Sequence, residues 1–431
     1  MKWRNRHKST GKAYPYIEIF SNLMYWGFFK KIYPHNFSSV PDDQPILIAS
    51  NHPTAFIECA MVTGYIDAPV YNMARGDIFR KPFYRRLMEN INMFPIYRKR
   101  DGYSENDRND EVFEYCIDKL KNNGVVAIYV EGEHHSDKRV RPLQKGIARI
   151  AFATFERYQQ QNLSIYPMGN NFVQEGMPRD TVMLNIGQPI YVKDYWDAYQ
   201  ENPARAITFL CKDIETALQQ ICFHIEHPDD DALAEQLLTL HRSEHPAPAL
   251  PIVERKNQRF NREKAVLDRL NTLAATEKTM VREKVNTYFA ALEKAGITDG
   301  AIVNAQRWGN WMWLLFFGSM LIPFLIGFVT SWPLLWLSHK VAKKAVKKKI
   351  FFGSVVMGVA FLGGLVWYSL LLLLALCTLP LWWSLAIPVV VVLGWFSMIY
   401  REQWAQWRAA RRAVAHTDYK VLLQWRKTLH Q

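Results

Sequence analysis

Short apolar runs alternate with amphipathic stretches between residues 45 and 192. Runs rich in Val, Ile and Leu predict buried strands at 46–49, 70–73, 125–130, 163–167 and 182–186. Apolar positions at helical spacing predict helices at 111–121, 147–159 and 204–224. Strands that alternate with helices favour an α/β domain, a mixed sheet flanked by helices, which we place at residues 41–226.

Residues 1–40 have a different pattern. Apolar and aromatic side chains cover a broad face of the stretch 16–33, which ends in Lys30-Lys31. This pattern is typical of an amphipathic helix at a lipid interface, and it also fits a helix packed on the domain core. Downstream of the α/β domain, residues 227–306 are charged and rich in Leu and Ala, which predicts a helical connector, either a lid or a dimerisation element.

The last third of the chain holds three long apolar segments, 311–337, 351–379 and 381–400, each long enough to cross a bilayer. Six lysines lie within 338–350, and four arginines follow from Arg401 to Arg412, so both basic stretches are predicted on the cytoplasmic side. Three spans would then place the N-terminal region outside. Because Pro323, Gly327 and Pro333 interrupt the first segment, we expect it to be re-entrant or interfacial, leaving two true spans.

The resulting expectation is an integral membrane protein with a membrane region at 307–400 and a basic cytoplasmic tail at 401–431. Its catalytic domain faces the cytoplasm, at the inner membrane if the source is bacterial. Lys and Arg total 53 against 40 Asp and Glu, a formal charge of +13, which favours an anionic partner such as anionic membrane lipids or a phosphorylated substrate. Five scattered cysteines without a C-x-x-C pair indicate neither a disulfide framework nor a zinc site, and fit a reducing compartment.

Polar clusters follow the predicted strands, where α/β domains generally build their sites. After strand 46–49 comes a run from Ser50 to Glu58 that contains His52. A histidine there can act as a general base if a carboxylate fixes its tautomer, and Glu58 is the nearest candidate. No P-loop or G-x-G-x-x-G nucleotide fingerprint occurs in the sequence, nor a recognisable nucleic-acid-binding motif, so no nucleic acid partner is expected.

Two further clusters are basic or glycine-containing. The first is Phe94-Pro95-Ile96-Tyr97-Arg98, preceded by the cations Arg75, Lys81, Arg85 and Arg86, and it suits either a phosphate or lipid headgroups. The second follows strand 125–130 and runs from Glu131-Gly132 to Ser136, where glycine lets the backbone approach a ligand closely. His134 and His135 are adjacent rather than four residues apart, which does not favour a metal site.

In this order the clusters resemble the motifs of the glycerophospholipid acyltransferase family, which acylates glycerol 3-phosphate and lysophosphatidic acid. Asn51-His52 through Glu58 looks like its histidine/acid motif, 94–98 like its second motif, and 130–132 with Ser136 like its Pro-Glu-Gly motif. Residues 165–167 with 187–190 look like its fourth region. Residues 141–146 are similar in particular to the fungal-type glycerol-3-phosphate acyltransferase branch and its bacterial relatives.

The chain departs from the family pattern at two positions. The family acid is an aspartate five residues after the histidine, whereas Glu58 lies at six, and Val130 stands where proline commonly precedes Glu-Gly. One extra residue would rotate the acid by ~100° on a continuous helix. We therefore expect Pro53-Thr54 to be loop, with the longer glutamate side chain assisting.

The resemblance implies roles for these residues. His52 would be the general base and Glu58 would orient it, with no metal or prosthetic group; the co-substrate would be an acyl-CoA or acyl carrier protein thioester. The acceptor would be bound by Arg98, Glu131, Gly132, Lys81, Ser136 and Arg75. Two alternatives stay open: an acyltransferase for another lysolipid or an aminoacyl lipid, and a non-catalytic, membrane-anchored lipid-binding protein.

Overall fold

The computed structural model describes residues 11–54, 56–97, 106–135, 137–308, 311–384 and 386–429. The chain forms two compact units, the first comprising residues 1–224 with 252–258 and the second residues 225–251 with 259–431. Segment 252–258, expected within the connector, thus belongs to the first unit, where Lys31 pairs with Glu254 at 3.2 Å.

The first unit is built on one eight-stranded mixed sheet. Its strands are β1 (Lys31–His35), β2 (Ile46–Ser50), β3 (Val70–Arg75), β4 (Met93–Ile96), β5 (Val125–Tyr129), β6 (Ser164–Phe172), β7 (Thr181–Ile186) and β8 (Ile190–Tyr191). The order is β1-β7-β6-β2-β5-β3-β4, with β8 paired to one end of β6. Strands β2 to β6 run parallel, whereas β7 is antiparallel to β6 and carries β1 beside it.

Helices cover both faces of the sheet. The first unit contains α1 (Ile17–Phe28), α2 (Ile57–Tyr65), α3 (Pro82–Asn90), α4 (Asn106–Lys121), α5 (Gly146–Tyr158), α6 (Trp196–Glu201) and α7 (Pro203–Ile221). Alternate residues of a strand point to opposite faces, so Leu47 and Ala49 pack with α4, α5 and α7 in the main core. On the other face α2 and α3 pack around Cys59, Phe79 and Met93. The predicted α/β fold is confirmed.

The structure corrects the expectation for residues 16–33. The helix ends at Phe28, and the chain then enters β1, which pairs with β7. Lys31 is fully buried in that strand, so it does not form the basic end of an interfacial helix. Helix α1 itself buries Tyr25 and exposes Leu23 and Trp26. Helix α1 thus packs one face on the domain core, and a lipid interface for its exposed face stays a prediction.

The second unit is helical. Its helices are α8 (Asp231–Glu244), α9 (Gln258–Thr272), α10 (Ala275–Ala295), α11 (Asp299–Val303), α12 (Ala305–Trp308), α13 (Met312–Ser319), α14 (Leu321–Ala345), α15 (Phe352–Thr378), α16 (Leu381–Ser384), α17 (Ala386–Ala415) and α18 (Tyr419–Thr428). The first residue of α9, Gln258, is assigned to the first unit. Residues 401–431, expected as a tail, include the end of α17 and all of α18. The buried Arg426 of α18 bonds Asp299 at 2.8 Å.

The first apolar segment also differs from its prediction. Its break falls at Met320, and α14 continues without interruption past Pro323, Gly327 and Pro333 for 25 residues. Helices α14 and α15 are long and apolar enough to cross a membrane by length and composition. A re-entrant hairpin broken at these prolines is therefore wrong, because packing against α15 and α17 keeps α14 helical.

Close packing between α14 and α17 depends on glycine. A Cβ at Gly327 would collide with the backbone carbonyl of Leu393, and one at Gly394 would collide with Ser331. Small residues let helix backbones approach in this way where apolar side chains alone give little association energy. Helices α14 and α17 therefore approach each other closely where they cross, at Gly327 and Gly394.

We predict that Gly327→Ala destabilises the helical unit by about 1–3 kcal/mol, because the added methyl group forces α14 away from α17. Gly358→Ala in α15 is the matched control, since a Cβ there meets nothing within 4 Å. It should be neutral or slightly stabilising through helix propensity. Thermal unfolding of the detergent-solubilised protein measures both, and equal midpoints for the two variants would contradict the contact.

Candidate active site

Four parallel strands end at the same edge of the sheet, and the candidate residues follow these ends. Ser50 of β2 is in register with Tyr129 of β5, and Arg75 of β3 with Ile96 of β4. The motif residues at 51–58 and 131–135 therefore converge in space. Arg98, two residues beyond β4, lies outside the described residues.

His52 and Glu58 form a direct pair at this edge. The His52 Nδ1 atom lies 2.6 Å from Glu58 Oε1. Helix α2 begins at Ile57, so Pro53 and Thr54 are indeed loop and Glu58 sits in the first helical turn. This loop compensates for the extra residue between the histidine and the acid, and the helix N-terminus favours the carboxylate.

Thr54 holds the Glu58 carboxyl group from the other side. Its backbone N–H donates to Oε1 at 2.9 Å, and its hydroxyl donates to Oε2. Glu58 is fully buried, and this burial raises its pKa well above the usual range, against the opposing effect of backbone hydrogen bonds that include Thr54 N–H. The Nδ1–Oε1 contact is a hydrogen bond that needs one proton, carried either by Nδ1 or by Oε1. With that proton on Nδ1, the other ring nitrogen carries the lone pair that a general base needs.

Two rings fix the plane of the His52 imidazole. Tyr129 stacks on it with centroids 4.2 Å apart and planes 23° apart. The His134 ring lies 3.9 Å away at 56°. Sequence reasoning did not assign Thr54, Tyr129 or His134 to the site. The signal for Tyr129 was its place as the last residue of a central strand.

The Glu131 side chain connects two loops by accepting hydrogen bonds from their backbone. Its Oε2 accepts from His52 N–H at 3.4 Å and its Oε1 accepts from Arg141 N–H at 3.0 Å. Burial raises the pKa of Glu131 to about 7, although these two backbone hydrogen bonds act in the opposite direction. Gly132 follows with φ of +72°, a left-handed conformation that favours glycine.

An open cleft lies beside the dyad, next to the two neighbours of His52 in the chain, Asn51 and Pro53. Its described lining is Asn51, Pro53, Glu131, His135, Asp137, Lys138, Arg139, Asn170, Asn171, Phe172, Glu175 and Phe223. One side of the cleft is held by Asn51. Its Oδ1 accepts from the Asn170 backbone N–H at 2.7 Å, and its Nδ2 donates to the Asn170 carbonyl oxygen at 3.1 Å. Lys138 and Arg139 supply cations, with Arg139 3.0 Å from Asp137 and Lys138 3.8 Å from Glu175.

Two of the predicted binding residues, Arg75 and Lys81, are not brought to this cleft. Arg75 forms a bidentate surface pair with Asp77, and Lys81 is exposed at the start of α3. Neither belongs to the cleft lining among the described residues. Ser136 lies outside the described residues. In the described part of the chain, no group of three His, Cys, Asp or Glu side chains is arranged to hold a metal ion.

Glu131 should make stability depend on pH. The folded carboxyl group keeps its proton up to pH about 7, whereas an unfolded glutamic acid loses it near pH ~4.3. The folded state therefore binds more protons in this window, and stability falls as pH rises through it. We predict that Glu131→Gln removes up to about 3 kcal/mol of this decline between pH ~4.5 and ~7.5.

Unfolding of the full protein, followed at several pH values, measures that slope. Glu114→Gln is the control, because the surface Arg157 lowers the pKa of Glu114. The control should keep the decline that Glu131→Gln loses. Parallel curves for wild type and Glu131→Gln would show that Glu131 is ionised in the folded protein throughout this range.

Part of this chain is similar in sequence to known acyltransferases. Residues 31–170 match the family model described as Acyltransferase. Glycerol-3-phosphate O-acyltransferase 2 of Saccharomyces cerevisiae is 26% identical over 160 residues, which cover 36% of this chain and 21% of the yeast protein. Glycerol-3-phosphate O-acyltransferase 1 of the same yeast is 23% identical over 124 residues, 25% of this chain and 16% of that protein.

The chain thus spans about a fifth or less of the length of these curated relatives. The solved 1-acyl-sn-glycerophosphate acyltransferase of Thermotoga maritima aligns with a TM-score of 0.36 and 19% identity, covering 50% of this chain and 82% of that one. The first three motifs and residues 165–167 of the fourth all fall inside the matched range 31–170, in the family's order. Residues 31–170 thus match the Acyltransferase family model, and the motifs within them are similar to those of glycerophospholipid acyltransferases.

Proposed function

We propose that this chain is a membrane-bound O-acyltransferase of phospholipid synthesis. It transfers a fatty acyl group from a thioester donor to a hydroxyl of glycerol 3-phosphate or lysophosphatidic acid. The observation that carries the proposal is the His52–Glu58 pair, which lies beside an open cleft within the acyltransferase domain.

The reaction needs one proton transfer and no covalent enzyme intermediate. The unprotonated ring nitrogen of His52 takes the proton of the acceptor hydroxyl as that oxygen attacks the thioester carbonyl carbon. Glu58 stabilises the resulting imidazolium through Nδ1. The carbon–sulfur bond then breaks, and His52 returns the proton to the leaving thiolate, which closes the cycle.

Two cations of the cleft are the candidates to bind a phosphorylated acceptor in exchange for the acids that they now contact. Lys138 and Arg139 line the cleft, and a phosphate oxygen is a strong acceptor for both side chains. Arg98 keeps its proposed role at the acceptor phosphate. Either acyl-CoA or acyl carrier protein could deliver the thioester, and both are tested below.

Membrane attachment is proposed from helices α14 and α15, which are long and apolar enough to span a bilayer. The yeast relatives matched by this chain carry names that describe acylation of glycerol 3-phosphate. A site on the cytoplasmic face, where the basic stretches near 338–350 and 401–412 are expected, stays a prediction.

We predict that His52→Ala lowers kcat by about 10²–10⁴-fold with little change in KM, because it removes the general base and no binding group. The assay is acyl transfer by the purified, detergent-solubilised protein. Acceptors are glycerol 3-phosphate, lysophosphatidic acid and a neutral lysolipid, each offered with both thioester donors. His416→Ala is the matched control, since His416 also lies beside a carboxylate, 3.9 Å from Asp418, in the helical unit.

Turnover on a phosphorylated acceptor that is lost in His52→Ala and kept in His416→Ala would support the proposal. A preference for the neutral lysolipid would move the assignment to the alternative acceptor class. A fully active His52→Ala protein would end the assignment. A folded protein inactive across the whole panel would favour the lipid-binding alternative.

Glu58 should matter through His52 and not through substrate binding. We predict that Glu58→Gln also lowers kcat by about 10²–10⁴-fold, because a neutral amide stabilises the imidazolium poorly and can impose the wrong tautomer. KM should change little. The double variant Glu58→Gln/His52→Ala should be no slower than His52→Ala alone, and additive losses would mean that the two residues act independently.

A further inference from the structure

The connection between β3 and β4 carries an unusually exposed helix. None of the nine residues of α3 is buried, although helices that connect parallel strands normally bury one face against the sheet. Phe83 is 74% exposed, and Ile78, Tyr84 and Leu87 are exposed beside it. The rings of Phe83 and Tyr84 contact each other edge to face, with centroids 5.5 Å apart. We call residues 78–87 the crossover patch.

Basic side chains are interleaved with these apolar ones. Arg80, Lys81, Arg85 and Arg86 are exposed within the patch, which contains no acidic residue. Arg85 also donates to the backbone carbonyl of Phe79 at 3.2 Å, which ties the helix to the turn before it. Aromatic and aliphatic side chains combined with Lys and Arg are typical of segments that lie on anionic lipid.

The patch is held on the sheet face that carries α2, the helix of Glu58. Phe79 is buried there with Cys59 of α2 and Met93 of β4, and Met88 packs against them. The patch begins three residues after Arg75, the last residue of β3, at the edge where the strands end beside the site. Helices α4, α5 and α7 cover the opposite face.

We propose that the crossover patch is a docking surface for an anionic lipid bilayer. Phe83, Tyr84 and Leu87 enter the interfacial layer, while Arg80 and Arg86 contact the phosphate headgroups. The basic side chains of the patch complement anionic headgroups, and this favours an anionic bilayer over an uncharged surface. The two candidate spans of the same chain would keep a bilayer at high local concentration. The proposal does not depend on the reaction, since it concerns where the domain lies and not what it catalyses.

The test uses the full chain reconstituted in vesicles. Cys377 is the exposed one of the five free cysteines, so Cys377→Ala supplies a background for selective labelling. In it, Phe83→Cys is labelled with an environment-sensitive nitrobenzoxadiazole dye. The vesicles are phosphatidylcholine alone, or phosphatidylcholine with phosphatidylglycerol. Dye depth is read from the emission maximum and from quenching by spin-labelled lipid.

The matched control is Phe209→Cys, labelled in the same way. Phe209 is an exposed phenylalanine on α7, on the opposite face of the sheet. In anionic vesicles we expect a blue shift and several-fold stronger lipid quenching at position 83 than at 209. High salt should reduce the difference, because screening weakens headgroup attraction. Equal, water-like signals at both positions in anionic vesicles would overturn the proposal.

A charge variant tests the lipid chemistry. Arg80→Gln combined with Arg86→Gln in the labelled protein should lower the docked-to-undocked ratio by about 30-fold in anionic vesicles. Phosphatidylcholine vesicles should show little change. If the double variant docks as well as the parent, the headgroup contacts are wrong. If the dye at position 83 is blue-shifted in anionic vesicles but is not quenched by spin-labelled lipid, a protein partner or a second copy covers the patch and the bilayer assignment fails.

Discussion

The buried carboxylate of Glu58 is the constraint around which the site is arranged. A carboxyl group removed from water needs hydrogen-bond partners, and here they come from Thr54 and His52. Meeting that need keeps residues 51–54 in a loop ahead of α2, which begins at Ile57, and turns the His52 ring toward the acid. The Tyr129 ring then stacks on the His52 ring. One buried carboxyl group thus shapes both the local chain path and the orientation of the candidate base.

A second carboxylate joins the loops that surround this pair. Glu131 accepts hydrogen bonds from the backbone of His52 and of Arg141, so the loops after β2 and β5 cannot move independently. The Asn51–Asn170 exchange does the same between β2 and β6. Three neighbouring strand ends are therefore linked by side chains that bond backbone atoms. Such links place a catalytic group more precisely than a mobile loop could.

Several elements could be predicted from sequence because the signal was local. The continuous apolar runs of β2, β5 and β6 and the spacing of α5 indicated a sheet buried on both faces. The short strands β1, β4 and β8 were missed, since pairing with neighbours rather than composition makes them strands. Lys31 shows the limit clearly: a charged residue read as a helix end is buried in a strand beside Glu254. Likewise α14 stays helical past its prolines because other helices pack against it.

Residue types and spacings along the chain were enough to predict the motif residues, their order, the α/β class and the pairing of His52 with Glu58 across a loop. These features are local in the sequence. Folding was needed to show that Thr54 and Tyr129 contact the pair, that Glu131 connects two loops, and that Arg75 pairs with Asp77 on the surface. Each of these depends on which strand ends meet and on which side chains lose water together. Distances and burial across the sheet edge are set by packing of the whole domain, and no local pattern encodes them.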